Sequence, residues 1–98
     1  MIANTVQEAY SVVSNELNVS QEDLMLLGLR GYLESQLRDV QADIFQISGQ
    51  YGVSTVKEME DHYRTGTLEE ASSWRDVQRL DHLEYKQEHL SQLLRSLS

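Results

Sequence analysis

The sequence predicts an all-α fold: a long amphipathic helix with short connecting helices and a C-terminal helix, arranged as a helical hairpin or an extended bundle. The 98 residues contain no proline, the residue that most strongly interrupts helices. Apolar residues recur every three or four positions along most of the chain, which is the spacing of one helix face. The breaks between these runs carry glycine, or a Ser or Thr three residues before an acid, as helix ends do.

The length fits a single helical domain, which we divide into three parts. Residues 1–52 hold an N-terminal helical hairpin that includes the long helix, residues 53–72 a helical elbow, and residues 73–98 the C-terminal helix. The first helix has one apolar stripe and ends at Asn18; the stripe is Val6, Tyr10, Val13 and Leu17.

The long helix is predicted to begin at Ser20, because Asp23 follows it three residues later in a near capping box. Its apolar stripe takes alternating steps of four and three residues, which is heptad spacing. That spacing suits packing within the chain, with a sister chain or on a partner. The stripe is Leu33, Leu37, Val40, Ile44, Ile47 and Tyr51.

The stretch QISGQYGVST ends this helix and begins the next. Gly52 follows the last stripe residue, at the position where a glycine commonly closes a helix. Thr55 and Glu58 form a capping box for a short helix. Later helix starts are predicted at Thr67 and Ser73, each followed three residues on by an acid.

The charge is −8, from 16 acids and 8 bases, and the first basic residue is Arg30. Nucleic-acid binding depends on Lys and Arg, so direct contact with nucleic acid is disfavoured. An acidic chain suits a basic protein partner. The start of the chain lacks the features of a signal peptide, and the longest apolar run, Leu24–Leu27, is too short to cross a membrane. We expect a cytoplasmic protein with no membrane contact.

We expect no enzyme activity, no metal and no cofactor. Without cysteine there is no thiolate site. Helical di-metal sites use Glu three residues before His, but Met59, Arg79 and Lys86 precede His62, His82 and His89. No glycine-rich phosphate loop occurs, and no serine or histidine lies in a recognisable catalytic setting.

Aromatic residues are the clearest sign of a partner, since Trp and Tyr bury large areas at interfaces with little entropy loss. We expect Tyr51 to close the core stripe. Trp74 lies in the polar stretch EEASSWRD, where little apolar sequence surrounds it. We therefore expect Trp74 to contact a partner.

Several stretches together resemble a group of small prokaryotic antitoxin-like proteins: GLRGYLE, ADIFQISGQYGVS, RTGTLEE, WRD and LEY, between residues 24 and 85. In that group a helix ending in Lys-Tyr-Gly leads to a short helix, a glycine with two acids, Trp-x-Asp and a last helix. This chain has Gln50 in place of the Lys and Leu80 in place of a second Trp. The resemblance implies a protein that binds and inhibits a ribonuclease-type toxin encoded beside it.

The leading hypothesis is therefore an antitoxin-like inhibitor that blocks a basic toxin sterically and with its acidic surface. The residues predicted to contact the toxin are Tyr63, Glu69, Glu70, Trp74, Asp76, Val77, Leu80 and Leu83. A second hypothesis is a self-assembling homodimer bundle formed by the stripes at Leu33–Tyr51 and Leu80–Leu97. A DNA-binding regulator is a third, opposed by the scarcity of basic residues around the predicted helical turn.

Overall fold

A computed structural model describes residues 4–66 and 70–97 of the chain. It contains four helices: α1 (Val6–Leu17), α2 (Gln21–Tyr51), α3 (Val56–Arg64) and α4 (Glu70–Ser96). Within the described ranges all regular structure is helical, which confirms the predicted fold class.

The molecule is elongated, with extents of 61 × 27 × 17 Å. Its radius of gyration is 20.0 Å, whereas a compact domain of about 100 residues has roughly 13 Å. Such a shape leaves much of the chain outside a common core. Across the described helices, none combines the length and the apolar character that a membrane span requires.

The predicted caps open the second and third helices. The Ser20 hydroxyl accepts a hydrogen bond from the Asp23 amide at 3.0 Å. The Thr55 hydroxyl accepts one from the Glu58 amide at 3.1 Å. The Glu58 carboxylate accepts from the amide of Ser54, one residue earlier than an ideal capping box has it. The bonds to Ser20 and Thr55 each satisfy an amide that the first helical turn leaves unpaired.

Left-handed residues close the first two helices. Gly52 has φ +66° and ψ 32°, and its amide donates to the Ser48 carbonyl. The next amide, that of Val53, donates to the same carbonyl at 3.0 Å, and the Val53 side chain is buried in the core. This arrangement is a Schellman-type cap, as the glycine predicted. Asn18 closes α1 in the same conformation, with φ 54°.

One predicted helix start is wrong and another lies outside the described residues. Ser73 lies inside α4 and is almost fully buried, so it does not cap that helix. The C-terminal helix therefore already includes residues 70–72, which the sequence assigned to the elbow. Thr67 lies outside the described residues.

Helices α2 and α4 form an antiparallel hairpin. At one end the Tyr51 hydroxyl donates to the Asp76 carboxylate. At the other, the Arg30 guanidinium donates to the Leu97 carbonyl at 3.1 Å. The same number of residues separates these two points on each helix, so the helices run alongside each other without a shift in register.

The apolar core lies between the two long helices and α3. Its buried members are Val40, Ile47, Val53, Met59, Val77, Leu80, Leu83 and Leu90. All six residues of the predicted α2 stripe lie in this core or pack against it. The parts of the two stripes that lie in this core, Leu33 to Tyr51 on α2 and Leu80, Leu83 and Leu90 on α4, thus cover each other within one chain.

Candidate protein-interaction surfaces

The elbow is held to α4 by apolar and aromatic contacts. Met59 is the only residue of α3 that is fully buried, and it joins the core between α2 and α4. The rings of Tyr63 and Trp74 lie 5.2 Å apart with a tilt of 40°. Aromatic pairs at this separation attract each other beyond the area that they bury. The two predicted contact residues thus bind each other, although 45% of the Trp74 surface stays exposed.

Two hydrogen bonds join α4 to the end of α2 and to the elbow. The Tyr51 hydroxyl donates to the Asp76 carboxylate and so ties the end of α2 to α4. The Val56 amide, at the start of α3, donates to the Glu84 carboxylate at 2.8 Å. A carboxylate on a neighbouring helix therefore completes the cap of α3. Asp76, predicted to present its charge to a toxin, instead holds the hairpin closed.

The hydrogen bond to Asp76 raises the pKa of Tyr51 to about 12 from an ordinary value of 10.0, with burial and the Asp76 charge adding to the effect. The folded state thus keeps this proton at a pH where the unfolded chain loses it. The stability that Tyr51 contributes is complete below about pH 10 and is lost as the pH rises towards 12.

We expect the free energy of unfolding to fall more steeply between pH 10 and 12 in the wild type than in Tyr51→Phe. The variant lacks the Tyr51 hydroxyl and is otherwise identical in sequence, so a difference between the two pH profiles reports on that hydroxyl. At neutral pH it should be less stable by about 1–3 kcal/mol, since its lost bond is to a charged acceptor. Urea unfolding at a series of pH values measures both effects; parallel pH profiles would contradict the expectation.

The structure moves three predicted toxin contacts into the core. Val77, Leu80 and Leu83 are buried against α2 and α3 and do not reach the surface. Their spacing on α4 is that of a helix face, and the face is covered by the chain itself. Glu69 and the side chain of Glu70 lie outside the described residues.

The exposed surface of the elbow includes a shallow pocket of about 250 Å³, lined by Glu60, Tyr63, Arg64 and Trp74. The Arg64 guanidinium lies 3.6 Å from the Glu60 carboxylate, so opposite charges meet there. The pocket has no acidic character of its own to attract a basic protein. The elbow is better explained as the connection that reverses the chain direction so that α4 packs against α2.

A second surface lies at the other end of the molecule, on α1 and the first turns of α2. No residue of α1 is buried. Large apolar side chains are exposed on both helices, from 38% for Val13 to 74% for Val6. We call this the α1–α2 surface; its exposed apolar members are Val6, Val13, Leu17, Met25, Leu26, Leu27 and Leu29.

Between the two helices runs an open groove of about 500 Å³. It is lined by Val6, Ala9, Tyr10, Val13, Leu24, Leu27 and Gly28. Leu24 stands nine residues before Leu33, which at about 100° per residue places it on the opposite side of α2. Helix α1 thus contacts the side of α2 that faces away from α4.

The continuation of the α2 stripe is uncovered as well. Leu26 and Leu29 extend the line of Leu33 towards the start of α2. Helix α4 ends beside Arg30, where the Leu97 carbonyl accepts its hydrogen bond. None of the four described helices consequently lies over Leu26 and Leu29, which are about half exposed.

The α1–α2 surface carries acids and no base. Before Arg30 the sequence holds no Lys or Arg, and the acids are Glu8, Glu16, Glu22 and Asp23, all exposed. Half of the net charge of −8 therefore lies in the first 29 residues. Exposed apolar side chains and acids thus occur together on this part of the described chain.

Sequence reasoning did not identify this surface, although a signal for it exists. In a helix, the four successive apolar residues Leu24–Leu27 point in directions spread over about 300°, so no single neighbour covers them all. Phe45 was also missed and is 79% exposed, because it lies off the stripe that faces α4.

Among the described residues, no group of three His, Cys, Asp or Glu side chains is placed to hold a metal ion. The groove between α1 and α2 is lined mostly by apolar residues, and the two charged residues of the elbow pocket form an ion pair. The arrangement offers contact surface, shape and charge to a partner.

Comparison with known proteins places the chain in one family. It belongs to the Uncharacterized protein MJ0235 family, whose model matches residues 1–98. No curated protein matches the chain significantly. No solved structure does so either.

Proposed function

We propose that this member of the MJ0235 family is a protein-binding protein that holds a basic partner on the α1–α2 surface. In its specific form, the proposal is an antitoxin-like inhibitor of a ribonuclease-type toxin. The observation that carries it is the coincidence of exposed apolar side chains and unopposed acids on one part of the molecule.

The apolar side chains call for a covering partner. Helix α1 has 12 residues, and isolated helices of that length are marginal in water. Residues 4–39 contain no fully buried residue, although Leu33 and Leu37 pack against the core. Helix α1 and the first turns of α2 therefore gain little from that core. Large exposed apolar side chains grouped in one part of a molecule are a common sign of a protein interaction site.

The exposed acids favour a partner with a basic surface. A ribonuclease needs a positively charged cleft to hold RNA, and an acidic helical surface competes for the same cleft. Charge complementarity would also speed association, to roughly 10⁸ M⁻¹s⁻¹ at low salt. Inhibition would follow from steric occlusion together with neutralisation of the cleft.

The resemblance to antitoxin-like proteins supports this proposal through the order of helices and short motifs along the chain. Its Trp-x-Asp element, Trp74 and Asp76, contacts Tyr63 and Tyr51. In this chain those residues support the hairpin, which leaves partner binding to the α1–α2 surface.

The test is a ribonuclease assay with the product of the neighbouring gene, if that product is a small basic protein. We expect the chain to abolish RNA cleavage at equimolar concentration. An unrelated acidic protein of similar size and charge serves as the control and should not inhibit. If RNA cleavage is unchanged when this protein is in excess over the toxin, the inhibitor function is refuted for that pair.

Self-assembly is a second candidate, favoured by the absence of buried residues between positions 4 and 39. Two copies could cover each other's α1–α2 surfaces, but each would bring the same acids to the contact. Light scattering across a range of concentrations and salt separates the candidates, since a stable dimer without partner would favour self-assembly.

A further inference from the structure

We infer that the groove between α1 and α2 receives an amphipathic α-helix of the partner, with apolar anchors on one face and Lys or Arg along its edges. This inference rests on the proposed function and adds the form of the bound element. It follows from the lining of the groove, from the backbone of its walls and from the charges on the two helices that form it.

The groove is shaped for apolar side chains. Val13 and Leu27 contribute exposed walls, and Gly28 leaves its centre open. A Cβ built on Gly28 would come no closer than 3.9 Å to another group, the Tyr10 hydroxyl. A side chain from outside can therefore approach the α2 backbone at Gly28.

The backbone around the groove selects a helix. Both walls are helices and not strands, so they offer no strand edge to which an extended peptide could add. The Tyr10 hydroxyl is the one side-chain polar group in the lining. An extended segment would bury its own amides without partners, whereas a helix satisfies them itself. Two packed helices with an open groove are completed by a third, as in other helix-in-groove complexes.

The charge of the two helices favours a basic partner helix. Helices α1 and α2 carry the exposed acids Glu8, Glu16, Glu22 and Asp23, and residues 4–29 contain no Lys or Arg to offset them. Anionic lipid and nucleic acid would be repelled by these charges. A second copy, itself at −8, would meet the same repulsion.

The probe is a designed 16-residue peptide of Leu and Lys whose leucines fall on one helical face. Two control peptides accompany it: the same composition in scrambled order, and the same leucine pattern with Glu in place of Lys. We expect one-to-one binding of the amphipathic basic peptide by calorimetry, with induced helicity seen by circular dichroism. Both controls should bind at least tenfold more weakly.

Three variants locate the site. Leu27→Asp should weaken binding at least tenfold although it adds a negative charge, so the loss cannot arise from electrostatics. Gly28→Leu, which leaves the charge unchanged, should weaken binding by filling the groove. Phe45→Asp changes an exposed apolar residue elsewhere and should leave affinity within about twofold. Circular dichroism of each free variant confirms folding.

Equal binding of the scrambled peptide, or equal loss in Phe45→Asp, would overturn the helix-in-groove inference. Self-association that disappears in Leu27→Asp would show that a second copy occupies the groove and would also overturn it. The outcome for the proposed function is separate. If Leu27→Asp abolishes toxin inhibition but the peptide does not bind, the α1–α2 surface remains the proposed partner site and the helix-in-groove inference is rejected. If the peptide binds but the protein does not inhibit the toxin, the groove binds a basic helix and the proposed inhibitor function is rejected.

Discussion

Replacing Leu80 with alanine should lower the free energy of unfolding by about 2–5 kcal/mol. Leu80 is fully buried at the centre of the core between α4, α2 and α3. Truncation removes apolar contacts and leaves a cavity that the surrounding helices fill only partly. A domain of this kind is stable by roughly 5–15 kcal/mol, so the loss is a large share of the total. Urea unfolding followed by circular dichroism measures it.

Leu93→Ala is the matched control, because Leu93 lies on the same helix but is 40% exposed. Its truncation should cost less than about 1 kcal/mol, as substitutions near the surface do. Equal losses in the two variants would mean that α4 does not turn the Leu80 face towards α2. A toxin-contacting Leu80, as the sequence first predicted, would instead give an alanine variant of normal stability and reduced toxin affinity.

Leu27→Asp should weaken binding of the basic partner about 30-fold or more, the scale of an interface hot spot. Leu27 is 59% exposed on the α1–α2 surface, so the change places a charge in the proposed contact without disturbing the core. Trp74→Ala should change affinity by less than about threefold, because that ring packs on Tyr63 at the elbow. Calorimetric titration with the neighbouring-gene product compares the two variants.

The opposite order of effects on affinity would place the partner-binding site elsewhere. If Trp74→Ala abolished binding and Leu27→Asp did not, the elbow would be the contact surface that the sequence predicted. Raising the salt concentration provides a separate check on charge: an acidic surface implies slower association at high salt, while apolar anchoring leaves dissociation nearly unchanged.

The helix ends show how far local sequence information reaches. Ser20, Thr55 and Gly52 act on atoms within five residues of themselves, and each lies where its cap was predicted. The α2 stripe from Leu33 to Tyr51 was likewise predictable, since periodicity marks which residues share a face. Ser73 failed because burial inside α4 outweighed a local capping signal.

What the sequence by itself determined is the helical class, most of the helix ends and the apolar faces, because these depend on neighbours along the chain. Only the tertiary structure decided what covers each face. Helix α4 turns back onto α2, so Val77, Leu80 and Leu83 are core residues and Asp76 binds Tyr51. The same hairpin ends beside Arg30 and leaves the α1–α2 surface open. Apolar spacing specifies that a face must be covered; which helix covers it is set by contacts between residues far apart in the chain.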